Sequence, residues 1–369
     1  MLIKGNDNYP FIVEGILKHF FLIIMNQLKR INPLATVVMQ TAHQIPSTPI
    51  PIRTNRMASG IRIPVKIILI ILAVCIVITA AAGIVIYRIA IASDGSRDFI
   101  YSAEENQMDF EIEDKSLEFK QVELDYEQTD ITSYDGLKLH GYMVKQSSDV
   151  WVIALHGYDD SGRSMAPLIG GFYARGYNLL LPDMRGQGKS EGSYIGMGWH
   201  DRLDVLSWID WLNEEYENPE IIIYGASMGG ATAMMLSGEK LASNVRCIIE
   251  DCGYASVRDE VEYEGKTLLH MPYYPFIWAA DIVTKICAGY SFEEASALEQ
   301  VKKSETPILF IHGEDDTFVP VENVYRVYEA AACEKQLLVV PGAQHASSML
   351  KDYRLYWKTV YNFIDKYIE

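Results

Sequence analysis

The sequence predicts an α/β fold, a mainly parallel sheet covered by helices on both faces, running from Thr129 to the C-terminus. Two observations carry this expectation. Short apolar or β-branched runs alternate with helix-length segments along the whole stretch, the order expected of successive strand–helix units. The run Ile221-Ile222-Ile223-Tyr224-Gly225 has no charged side chain and ends in glycine, the pattern of a central parallel strand buried on both faces.

In chain order the expected strands are 137–145, 150–155, 177–182, 220–225, 245–250, 306–312 and 336–340. The segments 163–175, 200–215, 228–240 and 320–333 are the helices between them. The connection between the strands at 245–250 and 306–312 is about 55 residues, where two to six usually suffice. It holds Leu268-Leu269-His270-Met271-Pro272-Tyr273-Tyr274-Pro275-Phe276-Ile277-Trp278, an aromatic cluster broken by two prolines.

Ahead of this domain, Ile67 to Tyr87 contains no charge at all. About 20 apolar residues suffice to cross a hydrocarbon core of roughly 30 Å as a helix, so 67–87 is expected to be a single membrane anchor. A cleaved signal peptide is the rival reading, since Ala80-Ala81-Ala82 and Ala90-Ile91-Ala92 resemble small-residue cleavage sites. The apolar run, however, exceeds the typical 7–15 residues of a signal core. Arg53, Arg56, Arg62 and Lys66 precede the run, whereas Arg88 and Arg97 follow it beside Asp94 and Asp98. Positive flanks stay cytoplasmic, which places the domain after the run outside. The expected organisation is an extension of unassigned role at 1–56, a basic flank at 57–66, the anchor at 67–87, an acidic stalk at 88–125 and one domain at 126–369.

The formal net charge is −17, but residues 1–100 carry ten Lys/Arg against four Asp/Glu and the remainder 22 against 45. A body this acidic repels phosphate, so nucleic acid is not an expected partner. The five cysteines form no CxxC pair and no zinc-spaced cluster with histidine, and unpaired thiols are expected. No cofactor or metal is expected.

Gly225-Ala226-Ser227-Met228-Gly229 follows the apolar run directly and opens a helix-forming stretch. G-x-S-x-G between a strand and a helix is a sharp turn that exposes a strained serine, here Ser227. Its hydroxyl becomes a nucleophile only when a base takes the proton. Such a serine is followed in the chain by an acid and then a histidine. His345 stands after the last strand and before the C-terminal helix, where that histidine belongs. The acid belongs in the loop Glu314-Asp315-Asp316, where local sequence leaves three candidates open. Oxyanion donors are expected from the backbone N–H of Met228 and of Tyr158, in the loop after the run ending Ala154-Leu155-His156-Gly157.

These stretches, LHGYDDSG at 155–162, PDMRGQGKSEG at 182–192, YGASMGG at 224–230, IHGEDDTFVP at 311–320 and PGAQHA at 341–346, resemble the α/β-hydrolase superfamily. Within it they are similar to bacterial serine aminopeptidase-like and acyl-esterase-like members. The resemblance covers about 129–369. It implies Asp316 as the acid, through the spacing Gly-x-x-Asp. It also implies scaffold roles for Asp183 and Arg185 and no metal role for His200 and Asp201. A small helical cap, about 253–300, is implied before the strand that precedes Asp316, with Phe276 and Trp278 lining a substrate pocket. The implied activity is hydrolysis of a small carboxylic ester, preferably of short acyl chain, through an acyl-enzyme. The alternatives are an aminopeptidase-like serine peptidase or a thioesterase. The reading from another class is an inactive surface binding protein, which would be expected to lack a triad member or an elbow glycine. All of them are present.

Overall fold

The computed structural model describes residues 65–95, 125–268 and 270–368. The extension at 1–56, nearly all of the basic flank and residues 96–124 of the expected stalk lie outside the described residues.

Eight strands form one sheet in the order β1-β2-β4-β3-β5-β6-β7-β8. They are β1 (Glu127–Thr132), β2 (Lys138–Val144), β3 (Val150–Leu155), β4 (Asn178–Pro182), β5 (Glu220–Ala226), β6 (Val245–Asp251), β7 (Ile308–Gly313) and β8 (Lys335–Val340). β1 pairs antiparallel with β2, and β2 antiparallel with β4; every other pairing is parallel. The expected mainly parallel sheet is borne out, and β5 sits at its centre between β3 and β6. Side chains alternate across it. Ile221 and Ile223 join one apolar cluster with Trp151 and Ile153, while Ile222 and Tyr224 join the other with Val152 and Ala154.

A helix, α1 (Val65–Ala90), precedes the sheet. After β3 come α2 (Gly170–Ala174), α3 (Asp201–Glu215), α4 (Met228–Leu236) and α5 (Val257–Thr267). α6 (Trp278–Cys287), α7 (Ala297–Val301), α8 (Glu322–Ala330), α9 (Ser348–Lys351) and α10 (Tyr353–Ile364) complete the set. α2 and α10 cover one face through Phe172, Trp357 and Phe363; α3, α4 and α8 cover the other through Trp208, Met234 and Val327. α5, α6 and α7 fill the long connection between β6 and β7, where the cap was expected.

Asp183 and Arg185 brace the turn after β4. Asp183 accepts the backbone N–H groups of Gly162 (2.7 Å) and Lys189 (2.8 Å). Arg185 donates twice to Asp204, both at 2.7 Å, and its charge is also met by Asp135. A buried guanidinium is tolerable only with such paired acceptors.

α1 contains 26 residues and is long and apolar enough to cross a membrane. Ile67 to Leu72 are all exposed, but Ala80, Gly83 and Tyr87 share a face that is buried against the domain. Residues 88–95, read from the sequence as the start of a stalk, continue into the fold. Ile91 and Ala92 enter the core, and Ile195 N–H donates to the Ile91 carbonyl at 2.7 Å.

Candidate active site

Ser227 sits between β5 and α4 with φ +55° and ψ −122°, a backbone conformation costly for any residue with a Cβ. Its N–H donates to the Asp251 carbonyl at 2.8 Å, which fixes the turn to β6. Gly229 lies so close to the Leu155 carbonyl that a Cβ there would collide with it, so the helix meets β3 only through glycine. All nine residues of α4 are buried, and the N-terminal end of its dipole points at Ser227.

His345 lies in the loop after β8. Its Nε2 is 2.9 Å from Ser227 Oγ and its Nδ1 is 2.8 Å from Asp316 Oδ2. A carboxylate only accepts, so Nδ1 carries the proton and Nε2 presents its lone pair to the serine hydroxyl. Asp316 is buried, whereas Glu314 and Asp315 are exposed. Its Oδ1 accepts from Phe318 N–H at 3.0 Å and Val319 N–H at 2.8 Å. Burial alone would raise the Asp316 carboxyl, but His345 and His312 hold it well below the usual carboxylate range. Burial alone would lower the His345 imidazolium. The Cys252 sulfur and the Asp316 carboxylate beside the ring override that and carry it well above the ordinary histidine value. Burial itself lifts the Cys252 thiol to about 11, which leaves Asp316 as the charge that matters near neutrality.

The structure thus brings Ser227, His345 and Asp316 into one relay. It also brings in His312, the fifth residue of β7. Its Nε2–H donates to the Val319 carbonyl at 2.8 Å and lies 3.3 Å from Asp316 Oδ2. His156 braces the opposite loop as a neutral ring, Nδ1–H donating to the Gly157 carbonyl (2.7 Å) and Nε2 accepting from Met184 N–H (2.9 Å).

Cys252, Asp316 and His345 place potential metal donors within 4.8 Å of one another. Both His345 nitrogens and both Asp316 oxygens already have partners, so an ion would have to break the relay to bind. His200 Nδ1 meets the Tyr194 hydroxyl at 2.7 Å, and Asp201 accepts from Gly198 N–H at 2.7 Å.

Above Ser227 lies a cavity of about 130 Å³, lined also by Met228 and Tyr158. That volume far exceeds the ~10–15 Å³ a single water requires. Phe276 and Trp278 do not line it; Ile277 between them does, together with Leu268 and Met271. Helical geometry is the reason, since neighbours at i−1 and i+1 point away from the face that Ile277 presents. Glu260 and Glu264 also reach the cavity. Burial, with Glu264 nearby, pushes the Glu260 carboxyl well above its usual range and favours its neutral form.

The family model described as X-Pro dipeptidyl-peptidase (S15 family) matches residues 102–288. The chain belongs to this family, within the α/β-hydrolases. It is therefore a hydrolase, and its sheet has the form that α/β-hydrolase members share. The matched segment contains Ser227 and ends before Asp316 and His345, whose placement rests on the geometry above. YqkD of Bacillus subtilis is 30% identical over 237 residues, 64% of this chain and 78% of that protein. A membrane protein of Saccharomyces cerevisiae, YNL320W, is 25% identical over 244 residues, 65% of this chain and 79% of its own. Among solved structures, the Pyrococcus furiosus esterase Pf2001 is 27% identical with a TM-score of 0.55, covering 67% of this chain and 94% of that one.

Proposed function

We propose that this hydrolase cleaves carboxylic esters through Ser227, His345 and Asp316, by way of an acyl-enzyme. The observation that carries the reading is the unbroken relay of 2.9 Å and 2.8 Å contacts from Ser227 Oγ through His345 to Asp316. Ser227 Oγ attacks the ester carbonyl while its proton passes to His345 Nε2. The imidazolium returns that proton to the departing alcohol, and Asp316 holds the ring in place and balances its charge. Water, activated by the same Nε2, then releases the acid. The developing oxyanion is assigned to the N–H of Met228, a first-turn donor of α4, and to that of Tyr158. α1 is assigned as the membrane anchor, with the folded domain on the extracytoplasmic side.

The second reading is an exopeptidase. The family description favours it, and so does the presence of Glu260 and Glu264 at the cavity, since carboxyl groups there suit a substrate ammonium. Purified full-length protein separates the two. The ester reading expects turnover of p-nitrophenyl esters at least 100-fold above that of Ala-Pro-p-nitroanilide. Faster cleavage of the anilide reverses the assignment.

A further inference from the structure

One wall of the cavity over Ser227 belongs to α1. Ile86, Ile89 and Ala90 line it, facing Leu268, Met271 and Ile277 from the cap segment. The Tyr158 hydroxyl donates to the Ala90 carbonyl at 2.7 Å, joining the helix end to the loop assigned to the oxyanion. The end of the membrane-length helix is thus part of the site and not a tether leading to it.

Length arithmetic fixes how close the site comes to a bilayer. From Lys66 to Thr79 no side chain is buried, and Ala80 is the first that is. Those residues supply a helix of about 21 Å at 1.5 Å per residue, against a hydrocarbon core of roughly 30 Å. The missing ~9 Å must come from the next six or so residues. These include Ala80 and Gly83, whose buried face packs on α6; a Cβ on Gly83 would lie 2.7 Å from the Ala279 carbonyl carbon. An α1 that spans therefore draws the start of α6 and the segment before it down to the boundary of hydrocarbon and headgroups. That segment carries the ring cluster Tyr273, Tyr274 and Trp278, with centroids 4.8 Å and 6.3 Å apart and Tyr274 65% exposed. Tyrosine and tryptophan are the side chains that favour this boundary.

We propose that the cavity takes the carbonyl end of a long-chain ester of a membrane lipid, admitted from the bilayer along α1. The rest of the acyl chain lies against the helix in the hydrocarbon. This rests on the serine-hydrolase reading and on α1 as an anchor. Ser227 Oγ bonds to the acyl carbon as the ester C–O bond breaks, and the deacylated lipid leaves as the alcohol with the proton from His345. Water then supplies hydroxide to the acyl carbon and a proton to the serine, releasing a fatty acid to the membrane. No other reactant is needed. The short-chain preference expected from a small cap treated that cap as the sole roof, whereas α1 supplies a wall that continues into lipid.

The test uses the full-length chain in sealed phosphatidylcholine–phosphatidylglycerol vesicles. A fluorophosphonate probe first reports whether Ser227 is reactive. Next, p-nitrophenyl butyrate and palmitate are compared at equal mole fraction in the vesicle, for wild type and Ile89→Trp. The expected result is palmitate at least tenfold above butyrate in wild type, with that ratio cut at least tenfold by the tryptophan. A palmitoyl ester carrying a diazirine on its chain should cross-link to the peptide holding residues 86–90, and this measurement decides alone if the variant does not fold. Absence of fluorophosphonate labelling overturns the reading of Ser227 as nucleophile and this inference with it. Labelling combined with a butyrate preference, an unchanged ratio in Ile89→Trp, or no cross-link to α1 overturns the lipid inference and leaves the hydrolase reading standing.

Discussion

In the proposed mechanism Ser227, His345 and Asp316 act as a unit, so their removal is expected not to be additive. Ser227→Ala and His345→Ala are each expected to lower kcat by about 10⁴–10⁶, with the double variant little worse than either. Asp316→Asn is expected to cost less, on the order of 10⁴, and Asp315→Asn, at an exposed position, almost nothing. Rates on a p-nitrophenyl ester check this order, and damage from Asp315→Asn with a silent Asp316→Asn reverses the acid assignment. The pH profile follows from the His345 environment. His345 acts as a base only when neutral, and its raised pKa means that activity is lost as pH falls through a limb lying above the ordinary histidine value of about 6.5. Asp316→Asn removes the carboxylate that favours the imidazolium, so the limb should move to lower pH; an upward move would contradict the relay. Ser227 and His345, which the structure brings within 2.9 Å, could be singled out from spacing alone, because G-x-S-x-G and a histidine after the last strand leave few alternatives. Asp316 needed the family spacing, since three adjacent acids look alike until burial separates them. His312 was not readable, because a histidine closing an apolar strand gives no sign of which carboxylate it will face.

Among the elements, the sequence was most legible where both faces are buried. β5 and α4 fall within one to four residues of their expected limits because unbroken apolar runs leave no other solution. β1 escaped notice because Glu127–Thr132 buries only Ile131, as a polar edge strand does. The helix expected at 163–175 is reduced to a short turn and the five residues of α2, because Pro167 falls between them. Least legible was the partner of α1, since an apolar side chain has the same letter whether it meets lipid or protein. The close contact runs through Gly83, where even a Cβ would meet the Ala279 backbone. That contact gives an element-level prediction. Gly83→Leu forces a side chain into the Ala279 backbone and should cost about 1–3 kcal/mol, the usual penalty of overpacking. In detergent this should appear as a Tm lower by about 2–10 °C. Val85→Leu, at an exposed position two residues on, should stay within about 0.5 kcal/mol of wild type. Equal melting of both variants and wild type would mean that α1 and α6 do not pack in solution.

At the scale of the whole molecule, an acidic catalytic body hangs from a basic, apolar head, and orientation is decided where the two meet. Four cationic residues, Arg53, Arg56, Arg62 and Lys66, stand before the apolar run and two, Arg88 and Arg97, after it. Arg88 is also held by Asp94 at 2.9 Å, close to the core residues Ile91 and Ala92. Basic residues within 15–20 positions of a span are retained on the cytoplasmic side, so the domain that follows α1 should be translocated. The packing of Tyr87, Ile91 and Ala92 into the core has a further consequence. A protease that cuts between 96 and 124 would sever the chain without freeing the domain, because α1 remains bound to it by side-chain contacts. Release of a soluble fragment is therefore a poor measure of topology, and loss of a C-terminal epitope is a better one. With the chain expressed in a bacterial host, protease added to intact spheroplasts should destroy an epitope placed after Glu369 while a cytoplasmic marker survives. Survival of that epitope until the membrane is permeabilised would put the domain inside. The site would then open on the inner leaflet, and the lipid it meets would change with it, although the relay of Ser227, His345 and Asp316 would not.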